Sequence, residues 1–157
     1  MPFWIAQPPT VEGQLGTGPV DLAVATQVLS APEGFDLPGG AGEIFYSAYE
    51  WFIDAAAKAT TDSARHENYL GAFRAANNLG VYCMIKITDD PNSPQQAYDF
   101  LLEAERIATG KLPGRDLLHG GVLFNLGSLM EMAGRREESA EYRHSARALG
   151  FSIGPSD

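Results

Sequence analysis

Two glycines constrain this chain more than any other feature. Gly80 and Gly127 each fall inside a stretch that otherwise reads as helix, in Asn77-Asn78-Leu79-Gly80-Val81-Tyr82 and Phe124-Asn125-Leu126-Gly127-Ser128-Leu129. A glycine in a helix interior costs about 1 kcal/mol relative to alanine, so two at matched places need a physical reason. Close packing of a partner helix against a residue without a side chain is the economical one. Each segment is followed by a turn and a second amphipathic stretch, so the expected unit is a helical hairpin.

The helical texture begins at Glu43. Ile44, Phe45, Ala48, Phe52, Ala55 and Ala56 make an apolar stripe at three- and four-residue spacing. Thr60 to Ser63 supply a break and an N-cap, and a helix follows over about Ala64 to Ile87 with Leu70, Phe73, Ala76, Leu79 and Cys83 inward, stopped at Asp89-Asp90-Pro91. The next helix is expected to start at Ser93 as cap, with Pro94 first and Gln96 completing a capping box, and to end at Gly110. Further helices are expected over Asp116 to Met132 and about Glu137 to Leu149, divided by Gly134.

The first forty residues differ. Pro2, Pro8, Pro9, Pro19, Pro32 and Pro38, with glycines at 13, 16, 18, 34, 39, 40 and 42, disfavour long regular elements. A short helix over Val20 to Leu29, with Val20, Val24 and Val28 at near-helical spacing, is expected between an extended arm and a loop around Pro32 to Gly42. The organisation is therefore residues 1–42 as a Pro/Gly-rich arm and loop, 43–150 as a helical domain and 151–157 as a short, loosely held tail.

The Leu-Gly helices followed by helices with small residues resemble the tetratricopeptide repeat family. The last unit matches best, through Asn125-Leu126-Gly127, then Gly134 between helices, Ala140 and Ala146; the middle unit matches through Leu79-Gly80, then Ala97, Leu101 and Ala104. Glu43 to Lys58 is similar to the second helix of a first unit, through Ala48, Phe52 and Ala55. The units are spaced more widely than the family's period, and its closing proline is missing. The resemblance implies an all-α fold of stacked antiparallel helical hairpins. It also implies a concave groove lined by the first helix of each pair, which points Arg74, Asn77, Val81, Met84, Phe124, Ser128 and Glu131 towards a protein or peptide partner, or towards the N-terminal segment.

Bulk properties narrow the function further. With 157 residues and 45% apolar residues the chain can bury a core as one domain. A formal net charge of −9 with only 11 basic residues argues against a nucleic-acid partner. Arg135, Arg136, Arg143 and Arg147 alternate with Glu137, Glu138 and Glu141, the pattern of a solvated helix face. Cys83 is the single cysteine, so no internal disulfide is available. No apolar run approaches the roughly 18 residues of a membrane span, and Met1 to Pro9 lacks the features of a secretory signal, so a cytoplasmic location is expected.

No catalytic constellation, metal site or cofactor motif is expected. Glu141 and His144 form one Glu-x-x-His, whereas di-metal bundles need two such motifs and further glutamates. Gly39-Gly40-Ala41-Gly42 opens a helix but lacks a P-loop lysine and a preceding strand. His119-Gly120-Gly121 marks a late helix start or a point of close backbone contact. Phe3, Trp4 and Ile5 are apolar residues on an arm with little core of its own, so they must fold back or dock on a partner. Two functions follow as expectations. One is a non-catalytic adaptor that presents a groove; the other is a structural accessory subunit, a stable member of a larger assembly anchored through its arm.

Overall fold

The computed structural model describes residues 3–9, 17–30, 40–87 and 90–153. They form six helices: α1 (Thr17–Leu29), α2 (Ala41–Lys58), α3 (Asp62–Ile85), α4 (Ser93–Lys111), α5 (Asp116–Met132) and α6 (Arg136–Ala148). No strand occurs among the described residues. The turns between α2 and α3, α4 and α5, and α5 and α6 are short, which places consecutive helices side by side.

Each helix packs chiefly on its neighbour in the chain, and α3 also meets α1 and α5. The even-numbered helices touch through long side chains. Tyr46 of α2 packs edge-on against Phe100 of α4, and the Tyr49 hydroxyl donates to Glu103. The molecule thus has an odd layer (α1, α3, α5) and an even layer (α2, α4, α6). Between them lies a core that includes Phe45, Phe52, Phe73, Leu79, Leu101, Ile107 and Leu126.

Gly80 and Gly127 sit where the layers touch. A Cβ on Gly80 would lie 2.7 Å from Leu101 of α4, and one on Gly127 would lie 3.2 Å from the Ser139 carbonyl of α6. Both glycines serve one purpose: they let the second helix of a hairpin press on the first.

The helix boundaries correct several expectations. Helix α3 starts at Asp62, ahead of the expected Ala64, with its cap inside the expected break: the Thr61 hydroxyl accepts from the Ala64 N–H at 3.1 Å. Ser93 is not a cap: α4 begins at Ser93 itself after Asn92, without a side-chain cap bond, and Ser93 is buried. Gly110 lies within α4 and does not end it. Helix α1 starts at Thr17, ahead of the expected Val20, and its valine stripe faces outward: Val20 and Val24 are 39% and 48% exposed. Leu22, Ala25, Thr26 and Leu29 are buried instead, so the inward face is chosen by fit to α2 and α3 and not by β-branched content. The tail is not loose at its start, because Phe151 is buried against Phe124 and Trp4. Residues 3–9 and 17–29 pack into the same core as the later helices. The expected loop from Pro32 falls outside the described residues as far as 39, as do two of the residues about the α3 stop.

Candidate functional site

The odd layer carries a row of buried asparagines. Asn77 and Asn78 lie on α3 and Asn125 on α5, each 0% exposed. In both Asn-Leu-Gly triplets the asparagine precedes the glycine by two residues, a rotation of about 200° around a helix. If glycine faces the even layer, asparagine must face away from it. A buried amide there needs partners, since an unsatisfied polar group costs about 1–3 kcal/mol.

The arm provides them. Residues 3–9 cross the odd layer without regular secondary structure, and the main chain of alternate residues is gripped from the side. Asn125 accepts from the Trp4 N–H at 2.7 Å and donates to the Trp4 carbonyl at 2.8 Å. Asn78 accepts from the Ala6 N–H at 2.8 Å and donates to the Ala6 carbonyl at 2.9 Å. In an extended chain, residues two apart present their N–H and C=O to the same edge, some 6.6–7 Å further on. Asn125 and Asn78, at matching places in the two triplets, therefore clasp one segment at alternate residues.

Asn77 closes the row. Its amide donates to the Trp4 carbonyl at 3.2 Å and to the Asn78 oxygen at 3.1 Å, and its own oxygen accepts from Asn125 at 2.9 Å. Asn78 donates its second hydrogen to the Thr26 hydroxyl of α1 at 3.1 Å. Both N–H donors of all three amides are thereby used, and the network links α1, α3, α5 and the arm. A fully satisfied network of this kind fixes one geometry, whereas a partly satisfied one is destabilising.

Side chains of the arm have seats of their own. Trp4 packs against Phe73 at 6.1 Å between ring centroids and edge-on to Phe151 at 5.8 Å. A Cβ on Gly121 would stand 2.4 Å from the indole, and one on Gly120 would stand 2.5 Å from Phe151. This resolves His119-Gly120-Gly121 as a point of close contact within an established helix: one glycine admits Phe151, the other Trp4. Ala6 is 1% exposed. Phe3 and Ile5 are half-buried against the core. Further along, Pro8 and Pro9 border a cavity of about 300 Å³ that also meets Leu22, Trp51, Phe52 and Arg74. Burial holds the Arg74 guanidinium below its usual range, with Glu67 acting in the opposite sense.

The residues expected to line a groove divide into three sets. Asn77 belongs to the clasp, and Arg74 borders the arm at Pro8 and Pro9. Val81, Met84, Phe124 and Ser128 are buried, so they present no open surface; Phe124 lies against Phe151. Glu131 is exposed and pairs with Arg143 at 2.6 Å. The arm residues Phe3, Trp4 and Ile5 fold back onto the chain's own helices. Asn78 and Asn125, which do most of the gripping, are additions from the structure.

No group of three or more His, Cys, Asp or Glu capable of holding a metal occurs among the described residues, and none of their helices is long and apolar enough to cross a membrane. Cys83 is buried, and that burial pushes its thiol up to about 11. A thiol so placed is a core residue and a poor nucleophile. Searches against protein-family models, curated proteins and solved structures found no match to the chain.

Proposed function

We propose that this protein is a non-catalytic interaction module whose tetratricopeptide-like hairpins hold an extended polypeptide by its main chain, with residues 3–9 occupying the groove in the resting state. The observation that carries this reading is the pair of two-point contacts from Asn125 and Asn78 to Trp4 and Ala6. Main-chain groups are common to every peptide, so a clasp built on them is transferable to another chain in a way that side-chain packing is not.

The main-chain part of the arm's hold is one that another segment can also supply. The four bonds from Asn125 and Asn78 contribute about 1 kcal/mol each in net terms, and a half-buried indole adds about 2 kcal/mol. A tethered segment competes at an effective concentration of about 1 mM. A partner segment with a few additional contacts can therefore displace it.

The alternative, an accessory subunit anchored through its arm, would need Phe3, Trp4 and Ile5 presented outward. Their seat on the chain's own helices favours the groove. A protein or peptide partner at a cytoplasmic location suits this reading, with no cofactor, nucleic acid or membrane required.

Peptide display against the intact chain and against Asn125→Ala tests it. Enrichment of extended peptides by the intact chain that disappears with Asn125→Ala is expected; equal recovery on both would contradict the groove.

A further inference from the structure

The arm also indicates what the groove selects. We propose that a partner segment entering it carries an aromatic residue followed, two positions on, by a small one, in the pattern aromatic–any–small. This inference rests on the peptide-clasp reading above and concerns side chains, which that reading leaves open.

Three features of the groove lead there. The first clasped residue places its side chain beside Gly121, where only the missing Cβ leaves room for a flat ring between Phe73 and Phe151. An aliphatic side chain would leave those rings without their edge and tilted contacts. The second clasped residue, Ala6, is 1% exposed while its N–H and carbonyl both bond to Asn78, so a bulkier side chain cannot enter without lifting the main chain off that amide. Ile5 between them is only half-buried and makes no demand of comparable strictness. The two seats are two residues apart on the arm because Asn125 of α5 grips Trp4 and Asn78 of α3 grips Ala6, so the side-chain pattern and the main-chain register are set by the same two helices.

The test begins from the folded full chain with a protease site replacing residues 11–15, cut only after folding so that the released arm can exchange. A fluorescent peptide with the sequence of residues 1–10 is titrated by anisotropy, beside peptides carrying Trp4→Ala, Ala6→Leu or Ile5→Ala. Saturable binding is expected, weakened at least tenfold by the first two changes and less than threefold by the third. Asn125→Ala in the cut protein should weaken every peptide. Equal binding of all four peptides would overturn the side-chain pattern and leave the main-chain clasp standing. No entry of any peptide within a day would overturn both. A dimer of the uncut chain by light scattering, dissociated by excess peptide, would assign the groove to a second copy's arm and overturn the partner.

Discussion

The side-chain amide of Asn125 meets both polar main-chain groups of Trp4, the N–H at 2.7 Å and the carbonyl at 2.8 Å, although the two residues are 121 positions apart. A single side chain thus does for the arm what a neighbouring strand would do in a sheet. Asn78 repeats the arrangement at Ala6, and several outcomes depend on it.

Removal of Asn78 takes its amide from both main-chain groups of the buried Ala6, and removal of Asn125 takes the acceptor from the Trp4 N–H while the Trp4 carbonyl keeps Asn77. Asn125→Ala and Asn78→Ala should each lower stability by about 2–4 kcal/mol. Gln95→Ala, at an exposed side chain that donates to Asp99 one turn further along α4, should change it by less than about 0.5 kcal/mol. Urea denaturation monitored by circular dichroism checks all three.

Gly121→Ala should loosen the arm through Trp4, because the new methyl group falls inside the indole. In a Trp4→Ala background the clash is gone and the higher helix propensity of alanine remains. The two changes should therefore be non-additive by at least about 1 kcal/mol, measured as a double-mutant cycle of melting temperatures.

Helical glycines should divide by surroundings. Gly80→Ala and Gly127→Ala press on Leu101 and on the α6 backbone, and each should cost about 1–3 kcal/mol by overpacking. Gly110, inside α4 with nothing within 4 Å of an added Cβ, should become more stable as alanine by about 0.5–1 kcal/mol. Thermal denaturation of the three variants separates these outcomes.

Alkaline pH should weaken the fold. Burial, with a contribution from Asp90, raises the Cys83 thiol from 9.0 to about 11. Between those values the unfolded chain binds fewer protons than the native one, so stability falls as pH rises through that window, by up to about 2 kcal/mol. Burial raises Tyr82 and Tyr142 in the same sense. Cys83→Ala should thus flatten, without abolishing, the decline in denaturation free energy between pH 8.5 and 10.5.

The hairpins were legible because their signals are local. Apolar spacing located α2 to α5 to within a few residues and Gly134 set off α6, while the glycines of both Leu-Gly pairs indicated the faces where helices touch, as Leu101 and Ser139 show. The clasp was half-legible. Asn77 stands out as a groove residue, but Asn78 and Asn125 were the repeated pair, and their place two residues before a packed glycine already turns them away from the even layer. What they hold is a contact across most of the chain, which no local pattern encodes.

The remaining misses have similar causes. Hydropathy favoured Val20 and Val24 on α1, whereas the buried face includes Thr26, a polar residue that accepts from Asn78. Phe151 read as tail because its seat is made by the absence of a side chain at Gly120. In both cases the deciding partner lies on another element.

Residue-resolved amide hydrogen exchange at Trp4 and Ala6 tests the seated arm most directly. Protection of at least a hundredfold over a free peptide is expected at both N–H groups, lost first at Trp4 in Asn125→Ala and first at Ala6 in Asn78→Ala. Free-peptide exchange at both positions in the unaltered chain would contradict the clasp.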